Sequence, residues 1–537
     1  MENEERLAKD QKMGTERWKV FLIALGIFVI ALAVRVIGLK FAFPLFTHPD
    51  EPYLMGTLRG MSADHTLNTG TYIYPAFPSL YSKLFIIDRL SLHEFGENYG
   101  FLYWREPFFY YYVSRLMTAV QGALLPVIAW FIGRKYKKVN FSWPAAVLFA
   151  FYSPFVLHSH YVTVDIPLTL YVMLVLLFSL NYLSTDKKHW LVLASLMVSV
   201  AAMEKYPGIL SFGIVLAAVG VHAFGRHEKD NSTQWHYFWK TTAISLLVII
   251  VGIALIGLPM IRNYDIAWRQ IVQEARPDHL GSDGLGWGGN LLYYLGDFYV
   301  NAGLLICLLG AVGLAAVFLL KDPAALLLFF GGGYWIALSV LSLHHSRWSL
   351  PMMTTPLFLA AVGASFLWQK VRGKTAGKIA FTVLLLIGFV PFILKGTVTS
   401  VMLTWQDTRN EALHYMEEYG MSDEVTLSDG YTPYNPNNKN DIYEFDFSNP
   451  GVKRFIIISS LMEDRYRREP ERYLRENAFY DNVRIHSELI KDFLPDPEPS
   501  SVIDQVRVIF EYLDRQFRDS KAQFFTGPRL EIYKLKQ

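Results

Sequence analysis

Cysteine is almost missing from this chain: of 537 residues only Cys307 carries a thiol. That excludes a disulfide framework and any multi-cysteine metal site. Charge is scarce too. Asp, Glu, Lys and Arg make up 18% of the residues, against about 25% in an ordinary soluble protein. The net charge of +2 supplies no basic field for nucleic acid, and the first apolar run lacks the small-residue cleavage site of a secretory signal. What the chain has instead is hydrophobicity, 52% of residues with 15% aromatic, gathered in long runs. It reads as a polytopic membrane protein.

A hydrocarbon core of about 30 Å is crossed by roughly 17–25 apolar residues. Runs of that kind fall near 18–38, 108–132, 141–158, 164–184, 188–203, 207–225, 240–259, 291–319, 324–343, 349–368 and 379–400, which predicts about eleven transmembrane helices. Cationic residues in short loops mark the cytoplasmic side. They collect at Arg6, Lys9, Lys12, Arg17 and Lys19, at Arg134, Lys135, Lys137 and Lys138, at Lys187 and Lys188, at Arg226, Lys229 and Lys240, at Lys321, and at Lys370, Arg372, Lys374 and Lys378. With an odd span count, this predicts a plasma-membrane protein with its N-terminus inside and everything beyond 400 outside.

Three parts follow: a cytoplasmic segment 1–17, a membrane domain 18–400 with a large first loop at 39–107, and an extracytoplasmic tail at 401–537. A loop as long as the first is uncommon without a function. Its segments Asp50 to Ala63 and Ser79 to Glu94 mix apolar and polar residues as interface-lying helices do. The tail turns charge-rich. Runs at 453–459 and 529–534 read as strands and 407–419 as a helix, so the tail is expected to be a small α/β domain.

Ionisable groups at membrane spans are costly, and each is a functional hypothesis. With this threading they fall at one face: Asp50 and Glu51, Asp165, Glu204 and Lys205, Asp297, then His344, His345 and Arg347. A carboxylate such as Asp50 at that surface can take a proton from an attacking hydroxyl. The plain structural role of Asp50 and Glu51 is an acidic first helical turn; that of Asp165, before Pro167, is a helix cap. Lys205 and Arg347 can equally anchor span ends to lipid headgroups.

Taken together, the Asp50-Glu51 pair after the first span, Tyr74-Pro75 some 25 residues on, Asp165-Ile-Pro167, Glu204-Lys-Tyr-Pro-Gly208 and Arg347-Trp-Ser-Leu-Pro351 resemble the GT-C membrane glycosyltransferases. The nearest look-alikes are the dolichyl-phosphate-mannose protein mannosyltransferases and the aminoarabinose transferases. The resemblance runs over residues 15 to 400 and is strongest in the first loop.

It implies transfer of a sugar from a polyprenyl-phosphate carrier, with inversion, to a hydroxyl of a protein, lipid or glycan acceptor on the extracytoplasmic side. It implies Asp50 as the catalytic base with Glu51 in support, and Asp165 as a binder of sugar or acceptor hydroxyls. The leaving phosphate needs fixed cations, for which Lys205 and Arg347 are the candidates. Arg59 and Lys83, in the first loop, are further possibilities. Aminoarabinose-transferring relatives carry Lys before the first-loop proline where this chain has Tyr74, which favours a hexose such as mannose.

No cofactor is expected. His158, His160, His344 and His345 lie near carboxylates, but histidine at a membrane interface is more often a hydrogen-bonded surface residue than a metal ligand. A transporter or flippase for lipid-linked sugars is the alternative; such proteins place ionisable groups near the bilayer midplane and show paired repeats, and neither is evident here.

Overall fold

The structure, a computed structural model, describes residues 2–225, 231–274, 285–341, 343–433, 442–518 and 524–536. Arg226 and Lys229, counted above for topology, lie outside the described residues, as do the side chains of Arg6, Lys9 and Lys12.

Among the described residues seven helices are long and apolar enough to cross a membrane: Glu16–Val36, Pro107–Lys135, Asp165–Thr185, Tyr206–Gly225, Asn231–Ile256, Ser346–Val371 and Thr375–Met402. An eighth is the pair Gly286–Ala302 and Leu304–Leu320, bent by 116° where Gly303 takes φ +81°, a backbone state that glycine alone adopts freely. The remaining apolar runs are shorter or broken helices, and this is why the length criterion gives fewer spans than the eleven expected. The run at 141–158 leaves helical geometry at Tyr152 (ψ 112°), and Pro154 opens the next short helix, Ser153–His158, as its fixed φ favours. Lys188–Glu204 has 17 residues, and 324–343 becomes a 3-10 segment, Pro323–Phe329, leading into Phe330–Ser339.

Two helices of the first loop, Asp50–Ala63 and Phe77–Phe95, bury one face each. Leu54, Met55, Leu58, Leu80 and Ile87 pack with Tyr99, Tyr110 and Tyr111, so the loop is a fixed platform across the ends of the spans.

The tail holds a pair of two-residue strands, β1 (Gln406–Asp407) and β5 (Phe525–Thr526), and a four-stranded sheet of β2 (Thr426–Ser428), β3 (Phe455–Ser459), β4 (Ser487–Phe493) and β6 (Leu530–Leu535). Its order is β2-β3-β6-β4. β2 and β3 run parallel and the other pairings are antiparallel. Successive side chains of a strand point to opposite faces. Ile456 and Ile458 accordingly pack with Phe479, Tyr480 and Tyr533, and Ile457 with Ala412, Met416 and Phe493. The sheet is therefore covered on both sides.

Two contacts seat the tail. Val508, in the helix Val502–Arg518, packs on Val398, Val401 and Trp405 at the end of the last span. Arg409 and Asn410 donate to first-loop carbonyls, Arg409 Nη1 to Thr47 O at 3.4 Å and Asn410 Nδ2 to Ala42 O at 3.1 Å and Phe43 O at 3.0 Å.

Candidate active site

Asp50 is the first residue of the helix Asp50–Ala63. Its backbone N–H donates to His48 Nδ1 at 3.3 Å, which requires an unprotonated ring nitrogen. Burial provides it by pushing the His48 imidazole down. The carboxylate pairs with the Arg347 guanidinium, 297 residues away in sequence. Both side chains keep some exposure, 18% and 23%.

A second carboxylate–cation pair stands beside the first. Asp165 opens its span and accepts from Lys205 Nζ at 2.8 Å; Lys205 also lies 5.6 Å from the Trp348 ring. Arg347 feels both carboxylates, and Tyr74 sits in the field of Asp50, Arg347 and Asp165. Burial, then Asp50, push the Tyr74 hydroxyl up, so it stays a neutral hydrogen-bonding group. His345 stacks edge-on against Trp348 at 4.9 Å. Burial and then Arg347 hold its imidazole down at about 4, neutral at physiological pH.

The cations are held by their neighbours. Ser346 Oγ, adjacent to Arg347, lies 2.9 and 3.0 Å from the two oxygens of Asp297, which also accepts from Asn301 Nδ2 at 3.2 Å. Lys205 follows Glu204, whose buried carboxylate accepts the Ser79 N–H at 3.0 Å while its carbonyl accepts the Ala76 N–H at 3.1 Å. Glu204 thus caps the helix Phe77–Phe95, which has no side-chain cap of its own.

The other residues singled out in the sequence lie elsewhere. Glu51 is fully buried in a two-bond pair with Arg115, Nε to Oε1 at 2.9 Å and Nη2 to Oε2 at 2.7 Å, and also accepts the Val162 N–H at 2.9 Å. Arg115 donates onward to Leu39 O and Phe41 O. Glu51 is placed as a brace tying the first loop to the second span, closed to a substrate. Lys83 faces Glu204, and burial pushes its ammonium down to about 8. Arg59 stacks on Trp104 at 5.6 Å, nine residues along its helix from Asp50, a rise of about 13 Å.

His160 presents both ring nitrogens to the backbone carbonyls of Val156 and Ile37. His158 lies in the field of Asp165 and His48, and His344 packs on Tyr293. Among the described residues no three His, Cys, Asp or Glu side chains gather as a metal site.

Sequence reasoning passed over Arg115 and Arg35. The latter is also fully buried, donating to Ser159 Oγ at 3.1 Å and to the Ala31 and Ala150 carbonyls at 3.0 Å. The available signal was a charge inside an otherwise apolar span.

The comparisons agree with this architecture. A family model described as dolichyl-phosphate-mannose-protein mannosyltransferase matches residues 83–261, a stretch containing Lys83, Asp165 and Lys205. Among solved structures the chain is similar to ArnT from Cupriavidus metallidurans in the apo state, with TM-score 0.50, 16% identity and coverage of 78% of this chain and 84% of that one. The same protein bound to undecaprenyl phosphate matches at TM-score 0.47 and 14% identity over 85% and 95%. No curated protein matches. The class defined is thus an integral membrane protein with the fold of the GT-C glycosyltransferase ArnT. Within that class the chain resembles the dolichyl-phosphate-mannose-protein mannosyltransferase family.

Proposed function

We propose that this protein transfers a sugar, a hexose such as mannose, from a polyprenyl-phosphate carrier to an acceptor hydroxyl at the extracytoplasmic face, with inversion. The observation that carries the reading is the adjacent pairs Asp50–Arg347 and Asp165–Lys205, set where the first loop, the span ends and the tail meet. The family-model match supports the donor class, and the cation bias of the loops supports the orientation.

Asp50 is the general base. The carrier phosphate draws Arg347 and Lys205, releasing the Asp50 carboxylate to face the acceptor hydroxyl. As the acceptor oxygen bonds to the anomeric carbon its proton passes to Asp50; the carbon–oxygen bond to the phosphate breaks, and the electron pair leaves on polyprenyl phosphate. The two cations meet that developing charge at fixed positions, where it is stabilised most. Asp165 binds sugar or acceptor hydroxyls. As proposed, the step calls on no cofactor, and Tyr74 in place of a lysine leaves room for a neutral hexose.

The test is incubation of the purified full-length protein in detergent with labelled polyprenyl-phosphate mannose or glucose and a membrane extract as acceptor source. Label leaving the carrier for a new product is expected. An intact carrier under conditions in which it binds contradicts a transferase and returns the transporter reading.

A further inference from the structure

In the tail, the parallel strands bring a turn and a helix side by side. In open sheets, ligands bind beyond the carboxyl ends of parallel strands, where the departing loops separate. β2 and β3 are the parallel pair here. After β2 the chain turns through Asp429–Thr432; after β3 it enters the helix Ser460–Arg467, with Ser459 as N-cap accepting the Leu461 N–H at 3.3 Å.

The turn is rigidly held. Asp429 is 1% exposed, and its carboxylate accepts from Tyr443 at 3.0 Å, from Tyr480 at 2.7 Å and from the Gly430 N–H at 2.7 Å. Thr432 Oγ1 donates to the Asp429 carbonyl at 2.6 Å. Tyr431 is thereby fixed at φ +62°, a conformation that a β-carbon disfavours and that persists where the surroundings impose it. A β-carbon on Gly430 would come within 3.0 Å of Met462 Cγ, so the turn lies close against the helix.

From that helix the Arg465 guanidinium lies 5.0 Å over the Tyr431 ring. A guanidinium stacked on an aromatic face keeps its N–H edge available to two oxygens of a carboxylate or phosphate.

The stacked pair stands near the reaction centre. His345 lies in the joint field of Arg347, Arg465 and Lys205, and Arg409 and Asn410 bind the tail to the first loop just ahead of Asp50. Arg347 and Lys205 each have a carboxylate partner. The tail's Arg409, Arg467, Arg472, Arg475, Arg484 and Arg529 are paired too. Arg465, like Arg454, Arg468 and Arg515 of the tail, makes no ion pair with a carboxylate among the described residues, and of these four it is the one placed beside His345. It is a cation stacked on Tyr431 whose field reaches His345 beside Arg347.

We propose that Tyr431 and Arg465 form an anion subsite on the tail that takes a phosphate group of a substrate entering the Asp50–Arg347 centre. Tyr431 orients the guanidinium, and the guanidinium makes the contact. The proposal rests on the transferase reading of that centre. The phosphate has two possible sources, the lipid carrier and a water-soluble anionic acceptor.

The experiment measures binding of two probes, undecaprenyl phosphate in detergent and inorganic phosphate in buffer, to full-length wild type, Arg465→Ala and Arg465→Lys, each checked for folding by its melting curve. Loss of one charge-assisted contact weakens binding roughly tenfold or more. A loss confined to undecaprenyl phosphate in Arg465→Ala, partly restored by Lys, assigns the subsite to the carrier. A loss confined to inorganic phosphate assigns it to the acceptor. If Arg465→Ala fails to fold, Arg465→Lys and Tyr431→Leu carry the comparison, since each disturbs the stacked fork and leaves most of the volume. Folded variants that bind both probes as wild type does overturn the subsite. Failure of wild type to bind undecaprenyl phosphate at all counts instead against the transferase reading.

Discussion

Asp50 and Glu51 are adjacent in sequence and stand in different environments. Asp50 is partly open and paired with Arg347, while Glu51 is sealed against Arg115. Removing one partner of a buried pair leaves an uncompensated charge and costs on the order of 3–5 kcal/mol. Glu51→Gln is therefore expected to lower the melting temperature in detergent markedly, with activity lost in step with the folded fraction. A Glu51→Gln protein of wild-type stability that has lost its turnover would contradict the brace.

In the tail, burial raises the Asp429 carboxyl to about 6, and the bonds from Tyr480, Gly430 and Tyr443 offset only part of that rise. A raised folded value means the unfolded chain gives up this proton first. The stability contribution is thus complete below about pH 4 and lost as the pH climbs to about 6, a change on the order of 3 kcal/mol. Hydrogen exchange of the β3 amides, corrected for intrinsic rates, should show protection falling across that window in wild type and not in Asp429→Asn. Identical profiles in the two proteins would refute it.

At this scale the sequence exposed the right kinds of residue and not their partners. Asp50, Asp165, Lys205 and Arg347 stand out because charge at span ends is costly. Asp50 meets Arg347 across 297 positions, and no local pattern encodes such a pairing.

The elements that carry these residues depend on close helix contacts. Leu304–Leu320 packs on Leu350–Val371 through reciprocal glycines: a β-carbon on Gly313 would lie 1.8 Å from Leu359 O, and one on Gly363 2.0 Å from Leu309 O. Small residues let backbones approach in this way within membranes. Leu350–Val371 begins just after Arg347, so displacing it displaces the guanidinium. Gly363→Leu is expected to cost about 1–3 kcal/mol of stability through overpacking and to weaken undecaprenyl phosphate binding as well, as read by melting and a binding isotherm. A variant unchanged in both would contradict the coupling. Some of the elements were legible: the first-loop helix at 50–63 and, in the tail, the strands at 453–459 and 529–534 and the helix at 407–419 follow from pattern, whereas the strand Ser487–Phe493 and the helices Leu474–His486 and Val502–Arg518 did not stand out. The elbow at Gly303 was not legible either: the run 291–319 is apolar enough overall to read as one span, although Asp297, Asn301 and Gly303 interrupt it where the helix bends.

For the whole molecule, the arrangement places platform, span ends and tail around one centre. The sheet order β2-β3-β6-β4 lay beyond sequence reading because its pairings are non-local, and so did the docking of the tail on the first loop, which rests on two side chains reaching carbonyls more than 350 residues away. If the centre is extracytoplasmic, an introduced cysteine at exposed Ser448, in a Cys307→Ala background, should be labelled by an impermeant maleimide on intact cells. Labelling only after permeabilisation would reverse the orientation.

The most direct measurement of the central claim compares sugar transfer from labelled polyprenyl-phosphate mannose by wild type and Asp50→Asn, with undecaprenyl phosphate binding measured on the same preparations. Asparagine keeps the shape of the side chain and removes the base, so transfer should fall by about 10² or more while carrier binding persists. An Asp50→Asn protein that transfers sugar at close to the wild-type rate would contradict Asp50 as the base and with it this account of the site.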